Sequence, residues 1–136
     1  MNKHTSKVSI ITPVFNDVST LENFVRRASH FISQKKLNAE IIIAENGSTD
    51  GTLDKLKDVR KKDSHVRIIS FRRNFGQSAA INAGFSSATG QTIVVMDADL
   101  QNDPTDIPRL LKKMKEGYDV VSGWRADRHD PFSRRI

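Results

Sequence analysis

Cysteine is absent from this chain of 136 residues, and tryptophan and tyrosine occur once each. Without cysteine the chain has no disulfide framework and no thiolate that could act as a nucleophile or bind a metal. A single tryptophan, Trp124, does not provide the row of stacking aromatics typical of a nucleic-acid surface, so we expect no nucleic-acid partner. No apolar run approaches the ~18 residues of a membrane-spanning helix.

Two common nucleotide-binding motifs are also missing. The P-loop pattern Gly-x-x-x-x-Gly-Lys-Ser/Thr does not occur, and no Gly-x-Gly-x-x-Gly follows the first predicted strand. The four histidines lack the spacing of metal ligands: His4, His30, His65 and His129. The sequence therefore excludes a P-loop site and a Rossmann dinucleotide site.

Basic residues exceed acidic ones, 22 against 16, which gives a net charge of +6. Such an excess favours anionic partners such as nucleotides, phosphorylated lipids or an acidic membrane face. Much of the charge falls on predicted helix surfaces, where it keeps the helices solvated. The densest basic cluster lies near the C-terminal end and comprises Arg125, Arg128, Arg134 and Arg135.

Apolar strands and amphipathic helices alternate along the chain. Strands are predicted at residues 8–11, 41–44, 66–71, 92–96 and 118–122, with the first ended by Thr12-Pro13. Ser19 and Glu22 predict a capping box at the first helix, and small residues between 77 and 88 predict a helix that packs closely. This alternation predicts an α/β fold with a mostly parallel, doubly wound sheet and helices on both faces.

The fourth predicted strand ends at two carboxylates, Asp97 and Asp99, followed by the amide of Gln101. In extended backbone this spacing would direct the three side chains to one side of the chain. Oxygen ligands of this kind suit Mg²⁺ or Mn²⁺, which also binds a ligand's phosphates. The alternative is a polar loop in which Asp103 caps the next helix.

Polar loops follow the first four predicted strands and should meet at the carboxyl edge of the sheet, where open α/β sheets bind ligands. Each loop also has a purely structural interpretation. Asn16 and Asp17 could start a helix, and Asn46-Gly47-Ser48 could be a turn followed by Asp50 as a helix cap. A receiver domain shares the fold class but needs acids after its first strand, whereas here the acidic pair follows the fourth.

Taken together, the loops resemble those of the family 2 inverting glycosyltransferases, which have the GT-A nucleotide-diphospho-sugar fold. The motifs are Pro13-Val14-Phe15-Asn16-Asp17, Glu45-Asn46-Gly47-Ser48-Thr49-Asp50-Gly51-Thr52, Arg73-Asn74-Phe75-Gly76 and Asp97-Ala98-Asp99-Leu100-Gln101. The segments 97–104, 117–125 and 131–136 are similar to the polyprenyl-phosphate branch, which includes relatives of dolichol-phosphate mannose synthase and bacterial undecaprenyl-phosphate glycosyltransferases.

The resemblance implies a role for each matched position. It places Pro13, Phe15, Asp17, Glu45 and Asn46 around the base and ribose of a nucleotide, with Asp97 and Ala98 on the ribose and diphosphate side. Asp97 and Asp99 would be the catalytic carboxylates, Asp99 and Gln101 would bind Mg²⁺ or Mn²⁺, and Arg125 and Arg134 would bind the acceptor's phosphate. Phe15, Asp17 and Asn46 depart from the family's usual residues, which leaves the base open between UDP- and GDP-linked donors.

Three functions remain in competition. The first is sugar transfer from a nucleotide-diphosphate sugar to a polyprenyl phosphate, the second is transfer to a hydroxyl acceptor, and the third is a non-catalytic nucleotide-binding module. From the resemblance we expect residues 1–136 to be the nucleotide-sugar-binding part of a longer GT-A domain, incomplete for transfer. We also expect that longer protein at the cytoplasmic face of a membrane, with homo-oligomer formation left open.

Overall fold

The computed structural model describes residues 6–123, which form four strands and four α-helices. The strands are β1 (Val8–Val14), β2 (Ala39–Glu45), β3 (Val66–Ser70) and β4 (Thr92–Val95). The helices are α1 (Val18–Gln34), α2 (Thr52–Lys62), α3 (Gln77–Ser87) and α4 (Ile107–Met114), the last preceded by a 3₁₀ turn at Pro104–Asp106.

The sheet is parallel throughout, with strand order β3-β2-β1-β4. The chain moves outward from β1 to β3 through α1 and α2, then reverses across the sheet to β4 through α3. Because such crossovers are right-handed, the reversal places α3 on the opposite face from α1 and α2. The predicted doubly wound parallel sheet is confirmed, and its topological switch point lies between β1 and β4.

The core is built mainly from β1, β2 and the inner face of α1. Ile41, Ile42 and Ile43 are all fully buried, which is typical of a central parallel strand that is covered on both faces. The buried residues of α1 recur at helical spacing: Leu21, Phe24, Val25, Ala28, Phe31 and Ile32. This packing holds the carboxyl ends of β1 and β2 in place.

Helix α3 packs against β1 and β2, as its small residues predicted. A Cβ atom on Gly84 would overlap Cγ2 of Ile11 and would lie 3.2 Å from its Cδ1 atom. The absence of a side chain at position 84 therefore lets α3 lie close to β1.

Three local predictions are wrong. Strand β1 does not end at Thr12-Pro13 but continues through Pro13. Strand β4 pairs only with residues 8–11, so Pro13 has a neighbouring strand on one side only, β2, and its missing N–H is tolerated there. Helix α1 begins at Val18, so Ser19 lies inside the first turn and forms no capping box. Residues 118–122 do not form a strand, and Val120 is 86% exposed with no strand paired to it among residues 6–123.

The chain divides after Pro104 into a second unit that contains α4. Pro108 lies in the first turn of this helix, where a proline lacks only an N–H that the helix would leave unbonded. Asp106 occupies the N-cap position of α4. Asp103 belongs to the first unit, as does Arg27, with which it forms an ion pair at 3.4 Å. Within residues 6–123, no helix combines the length and apolar character needed to cross a membrane.

A buried carboxylate, Glu40, organises the amino edge of the sheet. It accepts hydrogen bonds from the hydroxyl of Ser9 at 2.7 Å and from N–H and Oγ1 of Thr89 at 2.9 and 2.8 Å. It also pairs with Arg67 at 2.8 Å and Lys7 at 3.3 Å. Burial alone would raise the pKa of Glu40, but these bonds outweigh it and hold the pKa far below its ordinary value.

Candidate functional site

Four loops meet at the carboxyl edge of the sheet. Loop 1 (residues 15–17) follows β1, loop 2 (residues 46–51) follows β2, loop 3 (residues 71–76) follows β3, and loop 4 (residues 96–103) follows β4. All four strands run in the same direction, so their carboxyl ends lie at one edge. This edge is the position expected for a ligand site. The loops hold most of the residues predicted to form one, while Pro13 and Glu45 lie in β1 and β2.

Loops 1 and 2 are joined by reciprocal hydrogen bonds. The N–H of Asn16 donates to Oγ of Ser48 at 2.9 Å, and the N–H of Thr49 donates to Oδ1 of Asn16 at 2.9 Å. The N–H of Asp17 donates to Oγ1 of Thr52 at 3.2 Å. Asn16 adopts a left-handed φ of 53°, a conformation that asparagine tolerates better than most residues. These bonds hold the two loops as one surface.

Asp50 supports the first turns of two helices. Its Oδ1 accepts from the N–H of Thr52 at 3.0 Å and from the Thr52 hydroxyl, and its Oδ2 accepts from the N–H of Val18 at 3.4 Å. The hydroxyl of Thr52 holds the pKa of Asp50 below its ordinary value. The sequence predicted a cap for α2 only, whereas the structure shows Asp50 bonded to the starts of both α1 and α2.

Glu45 lies almost fully buried beneath loop 2, with 1% of its surface exposed. Its Oε1 accepts from the N–H of Ser48 at 2.5 Å, and its Oε2 accepts from the hydroxyl of Ser70 at 3.2 Å. A buried carboxylate without such donors would be costly, and here each oxygen has one. Glu45 thus fixes the course of loop 2 from below.

Asn46 joins loop 2 to loop 3 through both ends of its buried amide. Oδ1 accepts from the N–H of Phe75 at 3.0 Å, and Nδ2 donates to Oδ1 of Asn74 at 3.3 Å. The Asn74 oxygen also accepts from the N–H of Gly76 at 2.7 Å. Since each amide oxygen is opposed by a backbone N–H, which can only donate, the orientation of both amides is determined. The backbones also approach closely here, because a Cβ on Gly47 would lie 2.5 Å from Cα of Arg73.

Loop 4 begins where Met96 donates its N–H to the carbonyl of Ile11 at 3.0 Å. Ala98 is buried and Asp99 is exposed, but the backbone does not continue in the extended conformation that the sequence suggested. Leu100 has a left-handed φ of 63°, and the N–H of Gln101 donates to Oδ1 of Asp99 at 3.1 Å. Asp99 and Gln101 therefore sit on a tight turn closed by the carboxylate itself.

Asp17 in loop 1 is affected by the negative charges of carboxylates in loops 2 and 4. Burial raises the pKa of Asp17, the N–H of Phe15 opposes that effect, and the negative charges of Asp50 and Asp99 raise the pKa further. The concentration of negative charge at the ends of β1 and β4 makes this edge attractive to a cation.

The donor set of loop 4 fits a hard divalent cation. Within the described residues 6–123, no three or more His, Asp or Glu side chains gather into a closed metal site. Asp99 and Gln101 instead offer two oxygen ligands on an exposed turn. Mg²⁺ and similar ions commonly take only one or two carboxylates and complete their coordination with water and a ligand's phosphates.

The remaining predicted residues occupy different settings. Phe15, in loop 1 at the carboxyl edge of the sheet, has 43% of its surface exposed, whereas Pro13 is half-buried within β1. Arg125 and Arg134, predicted to bind an acceptor phosphate, lie outside the described residues. The sequence did not single out Gln77, the first residue of α3, whose Nε2 donates to Oδ1 of Asp97 at 3.3 Å. Its position directly after the Arg73–Gly76 motif could have drawn attention to it.

Comparison with known proteins agrees with this geometry. The model of the family described as Glycosyl transferase family 2 matches residues 9–135. Undecaprenyl-phosphate 4-deoxy-4-formamido-L-arabinose transferase from Enterobacter sp. (strain 638) is 42% identical over 130 residues, which are 95% of this chain and 40% of that protein. This chain therefore spans less than half the length of that relative.

Solved structures show the same fold at low identity. A mannosyltransferase from Pyrobaculum calidifontis in complex with GDP-Man and Mn²⁺ has a TM-score of 0.68 and 20% identity, and the match covers 81% of this chain and 32% of that one. Glucosyl-3-phosphoglycerate synthase from Mycobacterium tuberculosis, in complex with Mn²⁺, UDP-Glc and phosphoglyceric acid, has a TM-score of 0.64 and 21% identity. That match covers 82% of this chain and 40% of the synthase chain. The predicted GT-A fold is confirmed, and the chain belongs to glycosyl transferase family 2.

Proposed function

We propose that this chain is the nucleotide-sugar-binding part of a glycosyltransferase that moves a sugar from a nucleotide-diphosphate donor to a polyprenyl phosphate. The observation that carries the proposal is the exposed turn of Asp99 and Gln101 at the end of β4, beside β1 at the switch point of a GT-A sheet. The 42% identity to an undecaprenyl-phosphate transferase favours this acceptor class over a hydroxyl acceptor.

The nucleotide would lie over loops 1 and 2. Phe15 has an exposed ring that can pack against the base, and Pro13 and Asp17 adjoin it. Glu45 and Asn46 are buried and bonded within the protein, so they would shape the floor of the base and ribose pocket. We assign Asp97 and Ala98 to the ribose and diphosphate side, at the end of β4.

Asp97 and Asp99 are the proposed catalytic carboxylates, through their placement of the donor's diphosphate. Asp99 and Gln101 would hold Mg²⁺ or Mn²⁺. When bound, such a cation stabilises the negative charge that develops on the departing nucleoside diphosphate. The hydrogen bonds that join loops 1, 2 and 3, with the bond from Gln77 to Asp97, would hold the site in place before the donor arrives.

Two arguments support a polyprenyl phosphate as the acceptor: the chemistry of the transfer and the name of the 42% identical relative. A polyprenyl phosphate is already ionised at neutral pH, so its attack on the anomeric carbon needs no strong general base. Arg125 and Arg134 are proposed to bind its phosphate, because guanidinium groups match phosphate geometry. Contact with an anionic membrane face is consistent with the net charge of +6, and we propose that the longer protein works there.

The test is calorimetric titration of the 136-residue chain with UDP and with GDP, each with and without Mn²⁺. We expect Mn²⁺-dependent binding of one nucleotide, weakened at least ~10-fold by Asp99→Ala, because a ligand of the cation is lost. Asp58→Ala removes the same charge from an exposed position farther along α2 and should leave binding within about two-fold. A folded wild-type chain that binds neither nucleotide would refute the proposal.

A further inference from the structure

A neutral side chain on α3 contacts the carboxylate that opens loop 4. Gln77 is the first residue of the helix, and its Nε2 donates to Oδ1 of Asp97 at 3.3 Å. An amide donor can orient a carboxylate without cancelling its charge, which a lysine or arginine in the same place would do. The contact therefore preserves the negative potential of the site while restricting the rotation of Asp97.

Loop 2 holds the residues that come directly before Gln77. Asn46 bonds to the N–H of Phe75 and to the side chain of Asn74, and Asn74 accepts from the N–H of Gly76 immediately before the helix. The first turn then closes with the N–H of Ala80 donating to the carbonyl of Gly76 at 3.3 Å. A continuous series of bonds thus runs from the end of β2 to the start of α3 and on to Asp97.

We propose that Gln77 is a positioning residue, which holds the Asp97 carboxylate in the orientation that binds the metal-associated nucleotide. The inference rests on the proposed function, because it assumes that Asp97 faces the donor. Under this proposal the affinity for the donor also depends on Gln77, a residue outside the Asp97-Ala98-Asp99 segment. Its consequence is that the hydrogen-bonding capacity of residue 77, rather than its size, controls nucleotide affinity.

Substitution by glutamate separates this role from a structural one. Gln77→Glu keeps the shape of the side chain but turns a donor into a second carboxylate facing Asp97, so nucleotide binding should fall. A negative charge in the first turn favours the helix, whereas repulsion from Asp97 opposes it, so the melting temperature should change little. Nucleotide binding is therefore expected to fall while stability is nearly unchanged, which a loss of packing would not produce.

The experiment compares Gln77→Glu, Gln77→Ala and Ser78→Glu in the full 136-residue chain. Ser78 is exposed on the same turn, so Ser78→Glu adds an equal charge without changing the group that contacts Asp97. Each variant is titrated with Mn²⁺ and UDP, and with Mn²⁺ and GDP, and its melting temperature is recorded. We expect affinity to fall about five-fold in Gln77→Ala and about ten-fold or more in Gln77→Glu, with Ser78→Glu within about two-fold of wild type.

The outcomes distinguish the two proposals. In one outcome, the wild type binds nucleotide in a metal-dependent way and both Gln77 variants bind it equally tightly. That result would overturn the role of Gln77 and leave the proposed function intact. A Gln77→Glu variant that binds no more weakly than Ser78→Glu would do the same. If the folded wild type binds neither nucleotide, the proposed function fails and the role of Gln77 fails with it.

Discussion

Replacing Gly47 with alanine should destabilise the chain more than the same change at Gly51. Both glycines lie in loop 2 with left-handed φ angles, 75° and 88°. A Cβ on Gly51 would meet nothing within 4 Å, whereas one on Gly47 would lie 2.5 Å from Cα of Arg73 and 2.7 Å from the backbone nitrogen of Asn74. The pair separates the conformational cost of alanine from the cost of forcing two backbones apart.

The magnitudes follow from those two costs. A left-handed conformation costs a non-glycine residue ~1–2 kcal/mol, which is the whole effect expected at Gly51. At Gly47 the overlap adds ~1–3 kcal/mol, the usual penalty of overpacking, for a total of ~2–5 kcal/mol. A backbone cannot rotate away as a side chain can, so loop 3 has to move, and nucleotide binding should weaken with it.

Urea denaturation of wild type and both variants measures the loss of unfolding free energy, and titration with nucleotide and Mn²⁺ measures the effect on the site. We expect Gly51→Ala to retain most of its nucleotide affinity and Gly47→Ala to lose much of it. Losses of stability that agree within ~0.5 kcal/mol would show that the contact between loops 2 and 3 carries no energetic weight.

Two further predictions concern the amino edge of the sheet and the acceptor. Glu40→Gln should cost about 1–3 kcal/mol at pH 7, because a buried carboxylate loses charge-assisted bonds. The folded pKa of Glu40 is lowered, so its stabilising contribution is complete above the ordinary pKa of 4.5 and is lost progressively as the pH falls from there through the lower folded pKa. Unfolding curves of wild type and variant should therefore converge in acid, and a constant difference down to low pH would contradict this account. Replacing Arg125 and Arg134 with alanine should weaken binding to polyprenyl-phosphate vesicles and leave nucleotide affinity unchanged, as measured by co-sedimentation and calorimetry. An equal loss of both would argue against an acceptor role.

The fold was predictable because its strongest determinants are local. The run Ile41-Ile42-Ile43 and the helical spacing of Leu21, Phe24 and Ala28 specify a buried strand and an amphipathic helix without tertiary information. Once strands and helices alternate, handedness and the parallel arrangement follow from general rules. Residues 118–122 show the limit of this reasoning, because a β-branched segment forms a strand only where a partner strand is available.

The site was predictable in its composition but not in its connections. Pattern alone placed Asp97, Asp99 and Gln101 at the end of a strand, yet it could not show the left-handed Leu100 that folds them into a turn. The bond from Gln77 to Asp97 joins residues twenty positions apart. Such a contact depends on how α3 packs across the sheet, which no local sequence rule specifies.

The polar cluster around Glu40 lies far enough from the candidate site that stability and ligand affinity can be changed separately by mutation. Glu40 and Asn46 lie near opposite ends of β2, six residues apart, which in a strand corresponds to ~20 Å. That separation exceeds the Debye length of ~8 Å at physiological ionic strength, and it also exceeds the range over which substitutions usually interact. Changes to the ion pairs at the amino edge should therefore adjust the melting temperature and acid tolerance of the domain while leaving ligand affinity at the carboxyl edge as it was.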